Sequence, residues 1–298
     1  MAVAVPGADL AAGTSVFGSR QFIEYIPGSL PIVIASPHGG SERPEDIPDR
    51  IHGVTDMDAN TQELAKTLGK VILAETGQHA HLILCRLHRI KVDANRRLLD
   101  AVEGNADAEK AWHEYHGFIE QACQQSVAKH GFAFLIDLHG HGHPDPRVEL
   151  GYLHDAIDLA DCAEAHDEST YVQRSSLRWV VEQRGIRHSD LLYGSRSLGA
   201  LLETAGFPCT PSQMKPVPSH PFFRGGYTLT RHCRAEENIT GLQIEANRPR
   251  LRDTAENRLK FAIALTKSLR TYFKINLGFE LAETQGSPAI LPTFHISE

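Results

Sequence analysis

The chain contains no run of about eighteen consecutive apolar residues, the minimum for a membrane-spanning helix. Its five cysteines (Cys85, Cys123, Cys162, Cys209 and Cys233) are odd in number, scattered, and form no CxxC pair. That excludes a disulfide framework and a thiolate zinc ribbon, and leads us to expect a reducing, cytoplasmic setting. Positive charge is in short supply, with 30 Lys and Arg against 37 Asp and Glu. A net charge of −7 argues against nucleic acid or an anionic membrane as partner. The first residues, MAVAVPGADLAAG, lack a basic segment and are broken by Pro6, Gly7 and Asp9, so no signal peptide is expected. Also missing are a GxSxG nucleophile elbow, a GxxxxGK[ST] phosphate loop, a GxGxxG turn after a strand and an HExxH helix. No cysteine comes with a clear base partner, and Cys85 falls in an apolar segment, so cysteine nucleophiles are disfavoured.

What remains is a globular chain of 298 residues, 41% hydrophobic and 22% charged, with apolar material for a large core. Short β-branched or apolar runs read as buried strands at Pro31–Ser36 (PIVIAS), His81–Cys85 (HLILC), Phe132–Leu138 (FAFLIDL) and Thr240–Ala246 (TGLQIEA). Helical spacing predicts helices over Asp58–Leu73, Ala106–His130, Ser175–Gly185, Ser197–Gly206 and Thr254–Phe273. Strands alternating with helices indicate an α/β fold: one domain with a mostly parallel mixed sheet flanked by helices. We expect a loose lead over residues 1–20, the folded domain over 21–279 and an extended tail over 280–298. In such sheets ligands bind beyond the carboxyl ends of the strands, where His38, His139 and Glu245 all fall.

The abundant residue is histidine, seventeen in all. His38 leaves the first strand at Pro37-His38-Gly39-Gly40. His139 leaves the third in Asp137-Leu138-His139-Gly140-His141-Gly142-His143, a segment whose glycines leave its path open. Two imidazoles at strand ends suit a hydrolytic zinc site, which keeps three His or carboxylate ligands and one open position. Glu42, Asp56, Asp58 and another histidine such as His141 compete for the third place. Asp56 and Asp58 also suit simple capping of the helix that follows. His88–Arg97 (HRIKVDANRR) is the densest basic patch in an acidic chain, and its arginine forks match a substrate carboxylate. Glu245, near the end of a largely apolar strand, is costly to bury unless it is paired, for example with Arg248, or working as a general base. Gly225-Gly226-Tyr227, ahead of Arg231, reads as a loop offering a hydroxyl and a cation to a ligand.

Taken in order, PHGG, an aspartate opening a helix, DANR, DLHG, GGY followed by Arg-His, and LQIEANR resemble the N-formylglutamate amidohydrolase family. The resemblance spans about Pro31 to Arg248 and implies a zinc-exopeptidase (phosphorylase/hydrolase-like) architecture. It further implies one Zn2+ ion held by His38, Asp58 and His139, with Glu245 as the base. By the same resemblance, Arg89, Asn95 and Arg96 bind the substrate carboxylate or polarise the scissile carbonyl, and the choice of Asp58 over Glu42 rests mainly on it. Two positions depart from the family pattern, Gly39 and Gly140, where serine is frequent, and the HGHGH run followed by Glu149-Leu150-Gly151-Tyr152 marks a divergent branch. The expected activity is amide hydrolysis of a small N-acyl amino acid with a free carboxylate. The alternatives are a carboxypeptidase-like exopeptidase or glutamyl-polymer hydrolase, and a non-catalytic metal- or carboxylate-binding protein of the same fold.

Overall fold

The computed structural model describes residues 10–281. Among the described residues, eight strands form one sheet: β1 (Val16–Phe17), β2 (Ile23–Ile26), β3 (Ile32–Ser36), β4 (His81–Cys85), β5 (Ala133–His141), β6 (Val148–Gly151), β7 (Cys209–Thr210) and β8 (Ile239–Asn247). Their order across the sheet is β1-β2-β4-β3-β5-β8-β6-β7. The central four, β4-β3-β5-β8, run parallel; β2 pairs antiparallel with β4 and β6 antiparallel with β8, and the edge strand β1 pairs antiparallel with β2. This is the mostly parallel α/β sheet the apolar runs predict.

The α-helices of the described residues surround it: α1 (Thr61–Thr76), α2 (Leu98–Val102), α3 (Ala106–His130), α4 (Ala163–His166), α5 (Ser169–Arg174), α6 (Arg178–Arg184), α7 (His188–Tyr193), α8 (Leu198–Thr204), α9 (Tyr227–His232) and α10 (Ala255–Tyr272). Side chains alternate across each strand, so the two faces of the sheet build separate cores. Ile32, Ile34, Phe134, Ile136, Leu242 and Ile244 face α1 and α10, where Leu64, Leu68, Phe261 and Leu265 complete one cluster. Val33, Ala35, Ile83 and Leu135 face α3, where Trp112, Tyr115 and Ile119 complete the other.

The long helices start and stop where local chemistry directs. Asn105 and Thr254 cap α3 and α10 through their side chains, accepting from Ala108 N–H and Asn257 N–H. Gly77 and Gly131 close α1 and α3 in the left-handed conformation that glycine adopts without steric cost. The helix expected from Asp58 begins only at Thr61, because Asn60 sits at φ 68° and Asp58 belongs to the turn before it. The expected lead over residues 1–20 is partly structured: Val16–Phe17 pairs with Glu24–Tyr25 as the edge strand. Residues 1–9 of that lead and 282–298 of the tail lie outside the described residues.

Topology places the site. The chain leaves β3 through α1 to β4 on one side, then crosses through α2 and α3 to β5 on the other side of β3. The carboxyl ends of β3 and β5 therefore flank a switch point, with helices departing to opposite faces and a crevice between them.

Candidate metal centre

His38 lies two residues beyond β3, and His139 lies within β5, which runs on through Gly140 to His141. Their rings meet edge to face, centroids 4.7 Å apart. Asp58 joins them from the turn before α1, fixed by its own N–H, which donates to His38 O at 2.9 Å. Asp58 Oδ2 lies 3.2 Å from His139 Nδ1 and 3.4 Å from His38 Nδ1, and accepts from Gly140 N–H at 3.2 Å. One ligand atom from each of the three residues falls within 4.8 Å of the others. Tetrahedral zinc with bonds near 2.0–2.1 Å sets its ligands about 3.3–3.4 Å apart.

The outer nitrogens of both rings face carboxylates. His38 Nε2–H donates to Asp93 Oδ1 at 2.6 Å, which leaves Nδ1 as the acceptor, and no hydrogen-bond donor among the described residues reaches it. His139 Nε2 lies 3.1 Å from Asp137 Oδ2. Carboxylate behind imidazole is the arrangement that orients metal-bound histidine. An unsatisfied, buried imidazole nitrogen aimed at a second imidazole and a carboxylate fits a divalent cation better than it fits a packed core. The three residues thus suit a metal.

Electrostatics separate the acids around this point. Burial pushes the Asp58 carboxyl up, but hydrogen bonding to His139 and His38 outweighs it and holds Asp58 far below the usual carboxylate range. Asp93 is likewise raised by burial and lowered further by His38, Arg89 and Arg96. For His139 burial favours the neutral ring, yet Asp137 and Asp58 lift its pKa well above the ordinary value. Glu245 behaves oppositely. It stands beside His139 in the β5–β8 ladder and directly opposite Glu149 on β6, so all three side chains share one sheet face. Burial, reinforced by the negative charges of Asp58, Glu149 and Asp137 and opposed by His139, pushes it up to about 8. Among the described residues it has no ion-pair partner, and Oε2 has no hydrogen bond; the expected alternative pairing with Arg248 is not made.

The other sequence candidates separate. Glu42 is drawn off to Arg86, 2.6 Å away, and Asp56 is exposed; neither joins the cluster. His141 points to the same face as His139 but donates from Nε2 to Arg147 O, while Nδ1 accepts from His143 N–H. It belongs with His143 and Glu149 to a second grouping, in which His143 Nδ1 meets Glu149 Oε1 at 2.8 Å. Arg89 is buried, its Nε donating to Asp93 at 3.0 Å and its terminal nitrogen 3.7 Å from Asp58. Asn95 accepts the N–H and hydroxyl of Thr228 and presents its amide nitrogen 3.1 Å from His139 Nε2, which makes it a fixed part of the scaffold. Arg96 is exposed beside it. Tyr227, expected on a loop, begins α9, and Arg231 turns away to Glu120 and the Trp112 ring.

Sequence reasoning missed Asp93, Asp137 and Arg252. Arg252 is buried and donates to Ala246 O, His141 O and Ala59 O, tying the ends of β8 and β5 to the turn that carries Asp58. A Cβ on Gly140 would strike its guanidinium, which explains glycine at this position. Asp137 was signalled by the logic that singled out Glu245, an acid inside an apolar strand.

Comparison with solved structures follows this geometry. N-formylglutamate amidohydrolase from Ralstonia eutropha JMP134 matches with TM-score 0.52 and 16% identity, covering 86% of this chain and 99% of that one. The chain has the fold of that amidohydrolase. A gene product of Agrobacterium tumefaciens matches with TM-score 0.50 and 13% identity, covering 83% of this chain and 93% of that one. No protein-family model matches the sequence, and no curated protein matches it significantly. No helix among the described residues is long and apolar enough to cross a membrane. The likeness to an amidohydrolase fold agrees with the resemblance in the sequence, and at this low identity it speaks for the architecture.

Proposed function

We propose that this chain is a metal-dependent hydrolase that cleaves the amide of a small N-acyl amino acid with a free carboxylate, N-formylglutamate being the reference substrate. The observation behind this reading is the convergence of His38 Nδ1, His139 Nδ1 and Asp58 Oδ2 beside the unpaired Glu245 carboxyl. A divalent cation held by His38, Asp58 and His139, for which zinc suits the donor set, would supply Lewis acidity and lower the pKa of water. Glu245 then holds the transferable proton at Oε2. A carboxyl group with a pKa near 8 can take a proton from water and hand it to the leaving amine at neutral pH, the match general acid–base catalysis needs. Arg89, anchored by Asp93, sets a fixed positive charge beside Asp58, where charge developing on the carbonyl oxygen would be stabilised. Arg96, exposed beside Asn95, would meet the substrate carboxylate.

The test is turnover of N-formylglutamate by the protein as purified, after chelation and after zinc is restored. Chelation is expected to abolish hydrolysis and zinc to return it. If the metal-loaded protein turns over no N-acyl amino acid, or hydrolysis ignores chelation, the reading fails.

A further inference from the structure

His143, the last histidine of the HGHGH run, stacks on Phe223 with ring centroids 4.7 Å apart and planes 26° from parallel. Phe223 is nonetheless 45% exposed, a large apolar ring left half open on a loop. One carboxylate pins both members of the pair. Glu149 Oε1 accepts from His143 Nδ1 at 2.8 Å, and Oε2 accepts from Phe223 N–H at 2.9 Å. Glu149 is fully buried, and Arg147, 2.9 Å from Oε1, balances its charge. Arg147 also donates to Ser219 O and Pro221 O, which holds the chain entering Phe223. The ring is therefore fixed in place before any ligand arrives.

Register sets that pair beside the reacting groups. Glu149 stands directly opposite Glu245 on β8, and Glu245 stands beside His139 on β5. The order across this face is His139, Glu245, Glu149 and then the pair of His143 and Phe223. The segment after Phe223 continues the wall. Leu153 N–H donates to Arg224 O at 2.7 Å, and Gly226 packs on the Asn95 side chain, which leaves no room for a Cβ. Asn95 in turn lies against His139, so the wall returns to the ligand cluster. The reaction fixes how a substrate lies along this line. Its carbonyl belongs at the cluster, its leaving nitrogen at Glu245, and the substituent on that nitrogen runs on toward Phe223. That substituent is the amino-acid part of an N-acyl amino acid, not the acyl group.

We propose that Phe223, backed by His143, is a specificity-determining residue that binds an aromatic side chain of the substrate. The proposal deepens the hydrolase reading above and rests on it. The substrate class is then an N-acyl aromatic amino acid, with N-formylphenylalanine preferred to N-formylglutamate. A ring laid on the open face of Phe223 gains stacking and buries apolar surface. A second carboxylate there gives up hydration against a phenyl ring and gains no partner from the pair.

The experiment compares kcat/KM of the zinc-loaded full chain for N-formylphenylalanine, N-formylglutamate and N-formylglycine. It uses the unaltered protein, Phe223→Ala and Phe223→Tyr. The unaltered protein should favour N-formylphenylalanine over N-formylglutamate by about 10-fold or more. Phe223→Ala should lower the phenylalanine-to-glycine ratio by about 10-fold, mainly through KM, and Phe223→Tyr should restore it. A merely structural loss would lower all substrates together and leave that ratio in place. In the metal-free protein, the NMR ring resonances of Phe223 should shift with N-formylphenylalanine and stay unmoved with N-formylglycine. A preference for N-formylglutamate, a ratio unchanged in Phe223→Ala, or a Phe223 ring that ignores N-formylphenylalanine overturns this proposal and leaves the hydrolase standing. No turnover of any of the three substrates overturns both.

Discussion

Replacing Glu245 by glutamine is expected to lower kcat for an N-acyl amino acid by about 10²–10⁴-fold, the usual contribution of a positioned acid–base group. Glutamine keeps the volume and polarity of the side chain but cannot accept the proton. The site around it should survive, because the ligands come from the β3 exit, the turn before α1 and β5, whereas Glu245 comes from β8. Metal content should therefore match the parent protein. Steady-state kinetics combined with metal analysis would check both halves. A variant with unimpaired kcat would remove Glu245 from the chemistry. If the chain were instead a non-catalytic carboxylate-binding protein of this fold, the same substitution would leave ligand affinity unchanged, with no turnover to lose.

Acid should unfold the protein steeply, and the cause lies away from the candidate metal centre. His81, His116, His154 and His188 are each 2% exposed or less. Burial is the leading cause in every case: it holds His81, His154 and His188 down to about 4 and His116 down to about 3. Packing explains why they stay neutral. His81 Nδ1 accepts from Gly28 N–H and faces the Tyr25 hydroxyl at 2.9 Å. His116 is wedged between Ala94 O and the His232 ring, and both His154 nitrogens lack any hydrogen-bond partner among the described residues. For a histidine whose folded pKa is depressed, the stabilising contribution is present above the unfolded value near 6.5 and is lost as pH falls toward the folded value. His139 and Glu245, both shifted upward, work in the opposite sense, but they are two groups against four. Near pH 5 the unfolded chain binds about three to four more protons through these four rings, a slope of about 5 kcal/mol per pH unit. Urea unfolding at pH 7.5 and pH 5 should show a large fall in the midpoint. Equal midpoints would mean that these rings are not neutral in the folded state.

Much of this architecture is legible in the amino-acid pattern, and the boundary of legibility is physical. The strand at His81–Cys85 and the helix at Ala106–His130 match the sequence reading residue for residue, since long apolar periodicities and strong caps leave little choice. By contrast β5 runs three residues past its apolar stretch, through His139-Gly140-His141. It does so because β8 offers backbone partners as far as Asn247, and a backbone ladder leaves no mark in side-chain hydrophobicity. Helices α4, α5 and α7, of four to six residues each, are too short to announce themselves and depend on tertiary packing, whereas α6 falls inside the helix expected over Ser175–Gly185. The segment from His88 to Arg97, which could pass for a solvated helix start, is a turn-rich stretch with Lys91, Asp93 and Asn95 buried.

The site divides along the same line. His38 and His139 announce themselves by standing at strand ends among glycines, and Glu245 by being an acid in an apolar strand. Asp58 is separated from Glu42 only in three dimensions, where Arg86 captures Glu42 and the His38 carbonyl fixes the Asp58 backbone. Tyr227 and Arg231 show the reverse. Their residue types suggest contact with substrate, yet they pack toward α3, with Arg231 over the Trp112 ring. Asp93, Asp137 and Arg252 work through other residues, and such roles follow from register and contact, which no linear spacing encodes.

The central claim is that His38, Asp58 and His139 hold one divalent cation, and metal titration of the purified, chelator-stripped protein tests it most directly. The account predicts one tightly bound zinc per chain, lost in Asp58→Asn and retained in His143→Ala. Zinc retained in Asp58→Asn but lost in His143→Ala would place the metal in the grouping of His141, His143 and Glu149, and would contradict it.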